Sequence, residues 1–131
     1  MNISYFFFME LFHSSECYLY NLETTSSSKA KKIWREAIRQ KWNYECAYCG
    51  SKIDITLDHV IPQSFGGQDI SSNIVCCCKK CNHNKGHEKW EDWFLKQNFF
   101  SEDRYEKILK WISYEKSEKL IPYSKKRNNC T

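Results

Sequence analysis

Hydrophobic positions recur at helical spacing in three stretches of the chain. Over 29–42 apolar residues return every three to four positions, which predicts a helix with one buried face and Ser28 as its candidate N-cap. Two further helices are predicted over about 88–98 and 102–115, the second beginning after Ser101 with two acidic residues that favour a helix start. The apolar stripe of these two helices is interpreted as core: Trp90, Trp93, Phe94, Ile108, Trp111 and Ile112.

A different periodicity appears between the first and second helices. Residues 53–57 alternate apolar and polar side chains, as in a half-buried strand. The chain contains no internal repeats. We divide the chain into an N-terminal aromatic segment and polar linker (1–28), a domain with flanking helices (29–115) and a basic C-terminal tail (116–131).

Composition narrows the class of protein. A chain of 131 residues with 41% hydrophobic content has material for one modest domain. Its apolar run Tyr5–Met9 is far shorter than the roughly 20 residues of a membrane helix, so no membrane role is expected. The start of the chain lacks the features of a signal peptide, which favours an intracellular, reducing location. A formal charge of +4 is a mild basic bias, compatible with a nucleic-acid partner.

Four cysteines form two Cys-x-x-Cys pairs on either side of the predicted strand. Thiolates from two such knuckles can reach one tetrahedral ion, so they predict a structural Zn²⁺ site: Cys46, Cys49, Cys78 and Cys81. A site closed by four sulfurs has no open position for a substrate and serves folding. The other cysteines do not reproduce this spacing and are predicted to be free thiols: Cys17, Cys76, Cys77 and Cys130.

The segment bounded by the knuckles carries residues suited to phosphodiester hydrolysis. That reaction needs a base to activate water, a cation to neutralise developing charge and a rigid frame. His59 is the predicted general base. Asp58 and Asn82 offer oxygen ligands of the kind that Mg²⁺ or Mn²⁺ prefers, leaving coordination positions for water and phosphate. An Asp-His pair alone is usually an ordinary surface pair, so the spacing around it carries the prediction.

The central third of the chain resembles the HNH endonuclease family. The matching motifs follow the family's order and spacing: Cys46-x-x-Cys49, Leu57-Asp58-His59-Val60-Ile61-Pro62, Gly66-Gly67, Asn73-Ile74-Val75, Cys78-x-x-Cys81-Asn82 and Lys85-Gly86. The resemblance implies an α+β fold, with a ββα-metal, treble-clef-like core that is pinned by the structural zinc and flanked by helices. Asn82 stands where many members have histidine, as in the H-N-N variants. By resemblance Asn73 is a catalytic-site residue but not a ligand, and its amide hydrogen-bonds across the loop to hold the strand that carries His59.

The implied activity is a divalent-metal-dependent DNA endonuclease that cuts one strand per site and leaves a 5′-phosphate and a 3′-hydroxyl. Double-stranded DNA is the expected partner, in the cytoplasm of a bacterial host and with a phage-encoded origin as one option. A homing role is slightly favoured over a restriction role because nothing in the sequence resembles a separate recognition domain. A homodimer through residues 3–20 would account for the aromatic residues there.

Several basic residues flank the predicted site. Lys79, Lys80 and Lys85 are the predicted phosphate contacts, although charged runs are most often solvated faces. His83 and His87 are interpreted as part of a polar helix face. The alternative function is a non-catalytic zinc module that binds DNA or RNA. A third interpretation is a structural knuckle protein that docks another protein through its N-terminal aromatics.

Overall fold

The computed structural model describes residues 11–20 and 26–113. Its helices are α1 (Ser15–Tyr20), α2 (Ser27–Lys41), α3 (Lys79–Lys85), α4 (Trp90–Leu95) and α5 (Glu102–Ser113), and its strands are β1 (Ile55–His59) and β2 (Ile74–Cys78). Short 3₁₀ turns cover Gln63–Phe65 and Ser71–Asn73. Two strands followed directly by α3 form a ββα unit with further helices around it, which confirms the predicted α+β fold class.

The predicted start of α2 is two residues too late. Ser26, not Ser28, is the N-cap: its backbone is extended and its hydroxyl accepts the Lys29 N–H at 3.2 Å. Three consecutive serines can each cap a helix, so local propensity leaves the choice open. The buried face of α2 agrees with the predicted periodicity and consists of Ala30, Trp34, Ala37 and Ile38.

The predicted strand is also displaced by two residues, since β1 covers Ile55–His59 instead of 53–57. Asp54 has a positive φ of 52°, a turn conformation that a strand cannot contain, and its carbonyl accepts the Lys79 N–H at 2.9 Å. Helix α4 is shorter than the predicted 88–98, because Lys96 and Gln97 donate backward to Trp93 and Phe94 and close it. Helix α5 starts where predicted, and 114–115 lie outside the described residues.

Strands β1 and β2 form an antiparallel sheet. Its register pairs Ile55 with Cys78 and His59 with Ile74. Every residue of β2 is buried, whereas β1 is half-buried throughout. The pairing continues one step beyond the sheet, where the Val60 N–H donates to the Asn73 carbonyl at 2.8 Å. The end of β1 and the residue before β2 are therefore held together.

One part of the core consists of aromatic residues of α4 and the first knuckle. Tyr48 meets Trp93 and Phe94 edge to face, with ring centroids 5.0 and 5.3 Å apart. The predicted core residues of α4 and α5 are buried or half-buried. The Trp111 indole N–H also donates to the carbonyls of Ser71 and Ile74, at 2.9 and 2.8 Å. Helix α5 is thus hydrogen-bonded to the segment that leads into β2.

Residues 11–20 pack onto this core. Tyr18 is buried, and the His13 carbonyl accepts the Ser71 N–H at 2.7 Å. Cys17 is disulfide-bonded, so the prediction of a free thiol there is wrong; Cys130 and residues 3–10 lie outside the described part of the chain. The predicted domain division and the homodimer through 3–20 remain predictions. None of the helices within 11–20 and 26–113 has the length and apolar character that a bilayer crossing requires.

Candidate metal centre and active site

The four predicted zinc ligands lie together. Cys46 and Cys49 sit in the turn after α2, and the Cys49 N–H faces Cys46 Sγ at 3.5 Å. Cys78 ends β2 and caps α3, its Sγ accepting the Cys81 N–H at 3.4 Å. The four Sγ atoms lie within 4.8 Å of one another, and those of Cys49 and Cys78 are 3.7 Å apart. Tetrahedral zinc with Zn–S bonds of about 2.3 Å needs sulfurs roughly 3.8 Å apart, so the cluster fits this ion.

Thiol acidity supports a site that needs a cation. A hydrogen bond from the Cys77 thiol, opposed by burial, lowers the pKa of Cys46 to about 4. Burial raises the pKa of Cys49 and that of Cys81, and the Cys46 thiolate raises both further. A bound divalent ion would offset the thiolate charge that burial disfavours at Cys49 and Cys81. Cys76, whose pKa burial raises to about 12, and Cys77 are free thiols, as predicted.

Asp58 lies near the end of β1 and forms an ion pair inside the protein. Its Oδ2 is 2.9 Å from Lys85 Nζ, and the side chains are 13% and 0% exposed. The contact lacks the alignment of a hydrogen bond at Oδ2, while the same ammonium donates to the His59 carbonyl at 3.3 Å. The predicted phosphate contact by Lys85 does not fit this burial. Lys85 is instead an internal partner of the predicted metal ligand.

His59 has a carboxylate partner that the motif reasoning missed. Its Nε2 lies 2.5 Å from Asp69 Oδ1, and the two side chains are 28% and 63% exposed. Gln63 also donates to Asp69 Oδ1, at 3.2 Å. If the Asp69 carboxylate is ionised, the contact requires the tautomer in which Nε2–H donates to it, which makes Nδ1 the acceptor nitrogen of the ring. A sequence signal existed: Asp69 is the only acidic residue between His59 and Asn73.

Both the oxygen and the nitrogen of the Asn73 side-chain amide form hydrogen bonds within the protein. Oδ1 accepts the Ile61 N–H at 2.9 Å, and Nδ2 donates to the carbonyls of Ile61 and Gln68 at 3.1 and 3.0 Å. These are the predicted hydrogen bonds across the loop. Gly67 permits this tight path, since a Cβ there would lie 1.7 Å from the Ile61 carbonyl oxygen. The segment after His59 is therefore tied to the start of β2.

Asn82 lies on α3 and is half-buried against β1. Its Nδ2 donates to Thr56 Oγ1 at 3.2 Å, and that hydroxyl donates to the Cys77 carbonyl at 2.9 Å. Thr56 and Asp58 are two positions apart in β1, so their side chains share one face of the strand. Asn82 and Lys85 are three positions apart and share one face of α3. The two faces meet, which brings both predicted metal ligands to one side of β1.

The other predicted contacts lie on the outside of α3. Lys79 and Lys80 are exposed in its first turn and remain available to a phosphate. His83 is exposed on the same helix, as expected for a polar face. His87 follows α3, and its Nδ1 lies 3.4 Å from the Ser64 hydroxyl in an exposed contact. Neither histidine joins the group formed by Asp58 and Asn82.

Comparisons with known proteins identify a related family and related sequences. Residues 46–99 match the family model described as HNH endonuclease. The CRISPR-associated endonuclease Cas9 of Corynebacterium diphtheriae is 35% identical over 65 residues, which cover 47% of this chain and 6% of that protein. The "SPbeta prophage-derived putative HNH endonuclease YoqL" of Bacillus subtilis is 32% identical over 101 residues, which cover 66% of this chain and 42% of that protein. The chain thus spans less than half the length of either relative.

A solved structure, that of the Type IV phosphorothioation-dependent restriction endonuclease ScoMcrA, aligns with 72% of this chain and 21% of that one, at 15% identity and a TM-score of 0.40. The family model spans both knuckles and every predicted catalytic residue between them. Residues 46–99 therefore form a domain of the HNH endonuclease family.

Proposed function

We propose that the protein is a divalent-metal-dependent endonuclease that hydrolyses phosphodiester bonds of double-stranded DNA. The observation that best supports this proposal is the placement of a candidate base and a pair of candidate oxygen ligands around β1 of one ββα unit. Successive side chains of a strand leave from opposite faces, so His59 and Asp58 lie on opposite sides of β1. In-line displacement needs the base and the metal ligands on different sides of one phosphate, because the attacking water and the leaving oxygen lie on opposite sides of the phosphorus.

Each residue of the site has a distinct proposed role. His59 accepts the proton of the attacking water at Nδ1, and Asp69 stabilises the imidazolium that forms. Asp58 and Asn82 would hold Mg²⁺ or Mn²⁺, while Lys85 restrains the Asp58 carboxylate. A bound cation of this kind supplies Lewis-acid stabilisation of charge on the phosphate and the leaving oxygen. Asn73 keeps the loop after His59 in place, and Zn²⁺ in the cysteine cluster would hold the unit together.

We propose the cellular role only in general terms. The likeness to a prophage-derived relative supports a phage-encoded origin within a bacterial cytoplasm, and we retain a homing role over a restriction role. Exposed Lys79 and Lys80 would contact the DNA backbone near the site. One site cuts one strand; a double-strand break needs two sites, as in a homodimer, or two successive events.

The test is cleavage of supercoiled plasmid with added Mg²⁺ or Mn²⁺ or with no added divalent ion, comparing wild type with His59→Ala. His83→Ala is a matched control, since that histidine is exposed on α3. We expect metal-dependent nicking or linearisation that only His59→Ala abolishes, with zinc content and far-UV circular dichroism unchanged. If the wild type binds DNA but never cuts it, the non-catalytic zinc module is the better description.

A further inference from the structure

A hydrogen-bond chain links the predicted ligand on α3 to both strands. Asn82 Nδ2 donates to Thr56 Oγ1 at 3.2 Å, and Thr56 Oγ1 donates to the carbonyl of Cys77 at 2.9 Å. Thr56 and Cys77 are directly paired in the sheet. The hydroxyl is therefore held by the rigid part of the ββα unit.

The proton count on Thr56 decides which way the Asn82 amide points. A hydroxyl carries one hydrogen, and here that hydrogen is used by the Cys77 carbonyl. Toward Asn82 the Thr56 oxygen can only accept, so the group beside it must be the amide NH₂. The carbonyl oxygen Oδ1 then points away from Thr56. Within residues 11–20 and 26–113 it has no hydrogen-bond partner.

Asn82 packs on the face of β1 that also carries Asp58, since its amide contacts Thr56 and Thr56 shares that face with Asp58. Amide and carboxylate oxygens suit a hard divalent cation, whereas an NH₂ group cannot ligate one. A reversed amide would therefore remove one of the two protein ligands. We propose that Thr56 is a positioning residue that presents Asn82 Oδ1 to the divalent cation; this rests on the proposed nuclease function. No motif identifies Thr56 from the sequence.

The experiment measures Mn²⁺ affinity in two ways: by electron paramagnetic resonance of free Mn²⁺ without DNA, and by the Mn²⁺ concentration for half-maximal plasmid cleavage. Thr56→Val keeps the shape and removes the hydroxyl, while Thr56→Ser keeps the hydroxyl. Outer-shell partners of metal ligands typically contribute roughly 10- to 100-fold in affinity, so we expect Thr56→Val to weaken Mn²⁺ binding about tenfold. Thr56→Ser should restore most of that loss. Zinc content and circular dichroism verify that each variant is folded.

An Asn82→Asp background separates orientation from general support of the fold. A carboxylate presents an oxygen in either orientation, so Thr56→Val should then change Mn²⁺ affinity by less than about twofold. A tenfold loss that persists with Asp at position 82 would show a purely structural role and overturn the proposal. So would wild-type Mn²⁺ affinity in Thr56→Val while cleavage still requires metal. If the wild type neither binds Mn²⁺ nor cuts DNA, the proposed function itself fails.

Discussion

Replacing Lys85 by methionine tests whether the ammonium is an internal partner of Asp58 or a contact for DNA. The substitution keeps an unbranched side chain of similar length and removes the charge. The Lys85 side chain is fully buried and the Asp58 side chain is 13% exposed, with 2.9 Å between Nζ and Oδ2. Removing one member of a buried pair typically costs about 3–5 kcal/mol, because the other charge is left in a poorly solvated site.

We expect Lys85→Met to lower the free energy of unfolding by about 3 kcal/mol, the lower end of that range, since Asp58 retains some contact with water. The assay is urea denaturation of the zinc-loaded protein without other divalent ions, followed by tryptophan fluorescence. Lys80→Met is the matched control, because Lys80 is an exposed lysine on the same helix. Surface substitutions of this kind usually stay within about 0.5 kcal/mol.

A double-mutant cycle measures the interaction energy between Lys85 and Asp58. If the cost arises from an unpaired carboxylate, adding Asp58→Asn to Lys85→Met should recover stability, with a coupling energy of at least about 1 kcal/mol. Equal losses in Lys85→Met and Lys80→Met would refute the reasoning. Additive effects of the two substitutions would refute it as well.

Three further outcomes are expected. Asp69→Asn should slow cleavage roughly 10- to 100-fold at saturating metal, less than the roughly 10⁴-fold cost at a buried dyad because Asp69 is 63% exposed; an unchanged rate would exclude it as a partner of the base. Cys81→Ser should lose zinc by elemental analysis while Cys76→Ser keeps one ion per chain, and equal zinc contents would contradict the four-ligand assignment. Lys79→Ala and Lys80→Ala should each reduce the slope of log affinity against log salt by about 1 in DNA titrations, whereas unchanged slopes would place both lysines away from the backbone.

Local features could be predicted well because the information is local. The Cys-x-x-Cys spacing allows two sulfurs of one turn to face one ion, whatever surrounds them. Apolar periodicity likewise identifies the buried face of α2, although three adjacent serines leave its first residue undetermined. Asp54 shows the limit at strand ends: its φ is positive, and its carbonyl accepts the N–H of Lys79, which lies 25 residues later in the chain.

The sequence by itself indicated the family, the zinc knuckles and helices α2, α4 and α5, and it supplied the candidate base and ligands, because spacing along the chain carries that information. Only the tertiary structure decided which partners those residues have. Lys85 has the charge of a phosphate contact, yet packing of α3 on β1 buries it against Asp58. Thr56 meets Asn82 across 26 positions and His59 meets Asp69 across 10. Periodicity tells which face of its own element a side chain occupies, and the packing of elements determines what lies opposite.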